Sequence, residues 1–285
     1  MSHGPTLAGA GFLNRVSVVI PALNEEATVA EVVTSIATEN PGEIIVIDAD
    51  STDATAQLAR DAGARVVNWR DAAPGRKVAT REGKGESLWR GVAEARNDFV
   101  VFVDADLVEP PAGLVRTLAQ PLADDDNLAL VKPIYQRGFR GANTGGGRVT
   151  ELTAKPLLRI FFPELAHVAQ PLGGEYAVRR SAALELPFVG GFGVEAGLLI
   201  DVARTFGVSA IAQVALGTRH HRNKPLHELS SMADIVAATI IHRAGVAPVR
   251  PAVHAEAQDS ATPELADEHP TRVSERDSLQ EYGIT

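Results

Sequence analysis

The chain has 285 residues, 45% of them hydrophobic and 22% charged, with a formal net charge of −9, which is the profile of a globular protein long enough to bury a sizeable core. The absence of cysteine excludes disulfides and thiolate metal centres, and the absence of a basic stripe or basic motif argues against a nucleic-acid partner. The charge is uneven: from Val253 to Thr285 eight acids face two bases, a net −6 of the −9.

The opening stretch MSHGPTLAGAGFLNR lacks the basic start and apolar core of a secretory signal. Val16 to Ile20 is an apolar run of strand type that stops at Pro21, and Glu25 to Ile36 carries Val29, Val32, Val33 and Ile36 at helical spacing, with Asn24 placed to cap it. Glu43 to Ile47 is the second expected strand, Asp53 to Ala62 a helix closed by Gly63, and Arg65 to Asn68 a third strand. Strands and helices therefore alternate with short connections, the pattern of a parallel sheet covered by helices. Trp69 to Gly85 reads as a long surface loop and Glu86 to Ala95 as a helix. Phe99 to Val103 then forms a strand apolar on both faces, and Leu128 to Pro133 another. Gln136 to Gly147 reads as flexible, and a helix is expected to start near Arg148 and run through ELTAKPLLRIFF with a kink at Pro156. The most apolar later stretch, Ala196 to Ala215, is interrupted by Asp201 and Arg204, too polar to span a membrane. The reading is a cytoplasmic protein without internal repeats. The acidic residues 249–285, with Pro263 and Pro270 and no sustained apolar period, are expected to be a disordered or loosely docked tail.

Six stretches carry polar groups where chemistry is usually done. In FVVFVDADLVEP, Asp104 and Asp106 close a buried strand, and open α/β sheets bind ligands beyond the carboxyl ends of their strands. The alternative is that both acids merely cap the turn before Pro110. PALNEE (Pro21 to Glu26) ends the first strand and offers Asn24, Glu25 and backbone groups to a base and ribose, or simply stops the strand and caps a helix. DADSTDAT (Asp48 to Thr55) offers the same choice after the second strand. In GKG, Lys84 stands between two glycines before a helix, a place where backbone and ammonium can meet a phosphate; it is not a P-loop, because Gly85 stands where Ser or Thr should follow. GGGRVTEL (Gly145 to Leu152) feeds three glycines into a helix start with Arg148 and Thr150 in its first turn, suited to a phosphate or carboxylate. RHHRNKPL (Arg219 to Leu226) adds His220 or His221 as a ligand for a divalent ion among cations that suit phosphate.

The order of these motifs strongly resembles that of the GT-A nucleotide-sugar glycosyltransferases. QPLGGEYAVRR (Gln170 to Arg180), GFGVEAGLLID (Gly191 to Asp201) and RHHRNKPLHEL (Arg219 to Leu229) make the chain, over roughly Val16 to Gly245, similar to the actinobacterial glucosyl-3-phosphoglycerate synthase family, which also includes mannosyl-3-phosphoglycerate synthases. That resemblance implies an α/β GT-A fold: a Rossmann-like, mostly parallel sheet flanked by helices in one domain. Its nucleotide-sugar-binding half would be residues 16–135 and its acceptor-binding half 136–248, after an N-terminal segment 1–15. It implies retaining transfer of glucose from UDP-glucose to the 2-hydroxyl of 3-phosphoglycerate with Mg2+ or Mn2+. Residue by residue, it places the donor against Pro21, Ala22, Leu23, Asn24, Glu25, Ser51 and Ala105, with Lys84 near the diphosphate. Asp106 and His221 would hold the metal, Asp104 would support ribose and metal-bound water, and Glu195 would contact the donor sugar. Gly147, Arg148, Val149 and Thr150, joined by Arg219 and Asn223, would take the acceptor's anionic groups. A front-face reaction is implied, in which the leaving phosphate helps take the acceptor proton. Asp50 stands where the family more usually has glycine, so extra negative charge is expected near the nucleoside pocket.

Three other readings compete. A haloacid dehalogenase-type phosphatase also places D-x-D after an apolar strand, but that motif normally opens its domain, whereas about a hundred residues precede it here. A nucleotide-sugar sensor without turnover would keep the same fold. The sister mannosyl activity would use GDP-mannose. The helical region His227 to Arg243 carries an apolar face that either pairs two copies as a homodimer or covers the core.

Overall fold

A computed structural model describes residues 11–75, 78–138, 147–220, 226–247 and 273–285. The first half builds β1 (Val16–Ala22), α1 (Val29–Ala37), β2 (Glu43–Asp48), α2 (Thr55–Asp61), β3 (Arg65–Asn68), α3 (Lys84–Glu94), β4 (Phe99–Phe102) and α4 (Leu114–Asp124). The second adds β5 (Leu130–Gly138), α5 (Lys155–Phe161), β6 (Tyr176–Arg179), α6 (Arg180–Glu185), β7 (Phe188–Val189), α7 (Val194–Phe206), β8 (Ile211–His220), α8 (Leu226–Arg243) and β9 (Glu275–Arg276).

Seven strands form one sheet in the order β3-β2-β1-β4-β6-β5-β8. β6 runs antiparallel to both neighbours, and every other pairing is parallel. The strands read as unbroken apolar runs because helices cover both faces. Side chains still alternate: Val19, Ile45, Ile47, Val100 and Phe102 join one core layer with α3 and α7, while Val18, Ile20, Val46 and Val101 join the other with α1 and α4. Burying each such side chain contributes roughly 1.5–3 kcal/mol. From β1 the chain winds outward through β2 and β3, then returns to place β4 on the other side of β1. The carboxyl ends of β1 and β4 therefore flank a topological switch point, where open α/β sheets bind ligands. Pro21 is tolerated in this central strand because β4 pairing stops at Val19, so its missing N–H faces no partner strand.

Four expectations need correction. Asn24 does not cap the first helix: it lies in the left-handed region at φ 57°, and the helix begins only at Val29 after a turn in which the Thr28 and Val29 amides donate to the Glu25 carbonyl. The segment Gln136 to Gly147 is not flexible throughout, since Gln136–Gly138 extend β5; 139–146 lie outside the described residues. The kink expected at Pro156 takes the form of a widened π turn at Thr150–Ala154, where the Lys155 amide reaches back to the Thr150 carbonyl. A proline ring clashes with the carbonyl four residues before it, and widening the preceding turn relieves that contact. Finally, the last part of the expected loose tail is docked: Leu279 and Arg276 are buried and β9 pairs with β7. Isolated anchor residues gave no periodic signal.

Among the described residues, no helix is long and apolar enough to cross a membrane. α8 turns Val236, Thr239 and Ile240 into the interior, so its apolar face does cover the core.

Candidate active site

A cavity of about 490 Å³ opens beyond the carboxyl ends of β1 and β4. Its wall contains Pro21, Ala22, Leu23 and Glu25 from the end of β1, Lys84 from α3, and Asp104, Ala105 and Asp106 from the turn after β4. Gly147, Arg148, Val149 and Thr150 line the same cavity. Glu195, in the first turn of α7, lines it as well. Sequence motifs separated by up to 174 positions thus meet in one concave site.

Its polar centre is a three-member ionic cluster. Lys84 Nζ lies 2.6 Å from Asp104 Oδ1 and 2.7 Å from Glu195 Oε1. Burial opposes the lysine's charge, but the two carboxylates more than offset that and hold its pKa well above the usual lysine value. Lys84 therefore stays protonated. The flanking glycines explain how it gets there: a Cβ on Gly83 would lie 2.8 Å from Gly191 Cα, and one on Gly85 2.0 Å from the Val189 carbonyl oxygen. GKG is thus a close-packing device that brings the first turn of α3 against the turn leading to Glu195.

Asp104 is seated by a second glycine pair. β4 and β6 run antiparallel with Phe102 opposite Tyr176, which sets Gly174 beside Asp104. A Cβ on Gly174 would stand 2.1 Å from Asp104 Oδ2. The Gly173 carbonyl in turn accepts a 2.9 Å hydrogen bond from Lys132 Nζ on β5. That ammonium is buried 4.4 Å from the centroid of the Tyr176 ring. Burial pushes the Lys132 pKa down to about 8; nearby Lys84 adds to the shift, while Glu195, Glu175 and Asp104 oppose it.

Two predicted donor residues do not reach the cavity wall. The Asn24 amide donates to Ser51 Oγ at 3.0 Å, and Asn24 Oδ1 accepts from the Thr52 amide at 2.9 Å. Asn24 and Ser51 latch the loop after β1 to the loop after β2. Asp50 adopts φ 64°, the conformation for which glycine is the default and Asp is tolerated. Its carboxylate accepts from Asn68 Nδ2 at 3.0 Å and Arg70 Nε at 2.6 Å, which lower its pKa. The extra negative charge is therefore paired with Arg70. Sequence reading missed Trp69, Ser87, Leu172, Phe192, Met232 and Val236, which also line the cavity. Leu172 and Phe192 stand inside motifs already singled out, and Trp69 carried a signal as an aromatic residue directly after β3 at the same edge of the sheet; Ser87, Met232 and Val236 carried none.

His221 and Asn223 lie outside the described residues; Arg219 belongs to β8, but its side chain is not described. Among the described residues no three His, Cys, Asp or Glu side chains cluster as a complete metal site. The donor set nevertheless fits a hard divalent ion, because Mg2+ is commonly bound by one or two carboxylates together with substrate phosphates and water. Asp106, in the cavity wall, supplies one such carboxylate.

Residues 17–184 match the family described as glycosyl transferase family 2. The glucosyl-3-phosphoglycerate synthase of Mycolicibacterium paratuberculosis is 50% identical over 242 residues, covering 81% of this chain and 73% of that protein. The crystal structure of glucosyl-3-phosphoglycerate synthase from Mycobacterium tuberculosis in complex with Mn2+, UDP-glucose and phosphoglyceric acid superposes with a TM-score of 0.81 at 42% identity, over 98% of this chain and 96% of that one. A second structure of the Mycobacterium tuberculosis enzyme, with Mg2+ and UDP, gives 0.77 at 46% identity over 87% of each chain.

Proposed function

The chain belongs to glycosyl transferase family 2 and, within it, to the glucosyl-3-phosphoglycerate synthase family, and from that premise we propose that it transfers glucose from UDP-glucose to 3-phosphoglycerate in a metal-dependent reaction. The observation that carries this reading is the common cavity: Lys84, Asp104, Asp106, Glu195 and Gly147–Thr150 all line one space, so groups suited to a donor diphosphate and groups suited to an anionic acceptor share it.

The roles follow from chemistry. Ala22, Leu23 and Glu25 receive the nucleoside, and the protonated Lys84 faces the diphosphate. Asp106, with His221, would hold Mg2+ or Mn2+; when bound, such an ion neutralises diphosphate charge and favours departure of UDP. Glu195 takes hydroxyls of the donor sugar while Lys84 anchors one of its oxygens. Arg148 and the first amides of the helix at Gly147–Thr150 bind the acceptor's phosphate or carboxylate, joined by Arg219 and Asn223. A trianionic acceptor beside a diphosphate needs such groups to offset like-charge repulsion.

For the transfer we propose retention at the anomeric carbon. The bond from that carbon to the UDP oxygen breaks as the bond to the acceptor 2-hydroxyl oxygen forms on the same face, and the hydroxyl proton passes to the leaving phosphate. The ion pairing of both Asp104 and Glu195 to Lys84 supports this over attack by an enzyme carboxylate. The protein's contribution is then position and electrostatics. A cytoplasmic location fits a reaction between these substrates.

Asp106→Ala tests the assignment. UDP-glucose titrated calorimetrically into wild type should bind more tightly with Mg2+ than with chelator, and Asp106→Ala should lose that difference while melting normally. A metal-dependent gain retained in the variant would remove Asp106 from the metal site.

A further inference from the structure

The docked segment 273–285 binds residues of both elements that carry the Lys84–Glu195 pair. On the α3 side, Arg276 is buried, with Nε donating to Glu86 Oε2 at 2.6 Å and Nη2 to Glu86 Oε1 at 2.8 Å. Glu86 lies two residues after Lys84 in the same helical turn and also accepts from Arg90 Nε at 2.8 Å. Arg276 donates as well to the carbonyl of Ala79, and Arg81 donates to the carbonyl of Glu275, so the loop entering α3 is bound by the same two residues. The Arg276 guanidinium sits 5.0 Å from the Trp89 ring centroid, and Trp89 Nε1 donates to the Asp277 carbonyl at 3.1 Å.

On the α7 side, β9 pairs with β7 so that Arg276 stands opposite Phe188 and Glu275 opposite Val189. The Gly190 amide donates to the Ser274 carbonyl at 2.6 Å. These residues immediately precede Gly191–Gly193 and the first turn of α7, which carries Glu195. Glu275 also accepts from Arg243 Nη2 at 2.7 Å, tying in α8, whose Met232 and Val236 line the cavity. One short strand therefore bridges the turn that holds Lys84 and the turn that holds Glu195, behind the direct packing of Gly83 and Gly85 on Gly191 and Val189.

We propose that Arg276 is a positioning residue for the donor site: acting through Glu86 and the β7–β9 pairing, it sets the Lys84–Glu195 geometry that meets the nucleotide sugar. This rests on the donor-site reading above. It also implies reciprocity, because if the segment favours donor binding, donor binding must favour the docked segment by the same factor.

The test uses the full chain. Amide exchange of wild type is measured with and without saturating UDP-glucose and Mg2+, and residues 273–285 should exchange at least about fivefold more slowly in the complex. Steady-state kinetics of Arg276→Leu, normalised to folded protein, should show kcat/KM for UDP-glucose lower by about tenfold or more, with the acceptor KM little changed and most of the loss recovered in Arg276→Lys. Unchanged exchange would overturn the proposal, as would an Arg276→Leu enzyme that melts earlier but keeps wild-type kcat and donor KM, for that is a purely structural residue. If Arg276→Leu does not fold, the exchange measurement decides alone. Failure of UDP-glucose to bind wild type would instead overturn the donor-site reading, and this role with it.

Discussion

Lys132 never reaches the cavity wall, yet it stands behind the residues that do. Its pKa of about 8 lies below the roughly 10.4 of an unfolded lysine, so between those values the unfolded chain binds the proton that the folded chain releases. The sign follows: the cost of charging Lys132 is fully present below about pH 8 and is relieved as pH rises towards 10, by about 3 kcal/mol at most. Urea unfolding at pH 7.5 and 9.5 should show this contribution in wild type and its loss in Lys132→Met; an identical pH response in both would refute it. Arg148, by contrast, lines the cavity itself. Arg148→Ala should raise the KM for 3-phosphoglycerate about tenfold or more, as expected for loss of a charge-assisted contact, and leave the KM for UDP-glucose nearly unchanged. The reverse pattern would move Arg148 to the donor.

At the level of elements, the antiparallel β6 does more than extend the sheet. It presents Gly173–Gly174 at the edge where β4 delivers Asp104, and a Cβ at Gly174 would be accommodated only if the Asp104 carboxylate moved. Gly174→Ala should therefore displace the Asp104 carboxylate and lower kcat about a hundredfold, the scale of a 1 Å misplacement, with substrate KM values changed less; wild-type kcat would show that the contact is dispensable. The parallel half of the sheet was legible in the sequence because its strands are unbroken apolar runs ended by turn residues, and β3 has the expected Arg65–Asn68 bounds. Asp104 and Asp106 were legible for the same reason, standing where such a run stops, and Lys84 because two glycines flank it before a helix. What the sequence hid was long-range. Gly83 and Gly85 looked like phosphate-loop glycines because their contacts, Gly191 and Val189, lie about a hundred positions away. Asn24 looked like a helix cap because its left-handed backbone and its bond to Thr52 leave no local mark.

The whole molecule carries a net charge of −9 and, on the proposed function, must admit two anionic substrates. The overall field opposes that approach, so attraction has to come from Lys84, Arg148 and a divalent ion within the cavity. Much of the negative charge was assigned by sequence to a loose tail, yet Glu275 and Arg276 sit inside the fold's ionic framework with Glu86 and Arg243. Acidic composition did not distinguish a solvated segment from a docked one, because two or three buried anchors suffice to dock it. The central claim is the transfer itself, and mass spectrometry of products tests it most directly. Wild-type protein would be incubated with 3-phosphoglycerate and either UDP-glucose or GDP-mannose, each with Mg2+ and with chelator. The account predicts glucosyl-3-phosphoglycerate from UDP-glucose only when the metal is present; a mannosyl product alone, or no product from either donor, would contradict it.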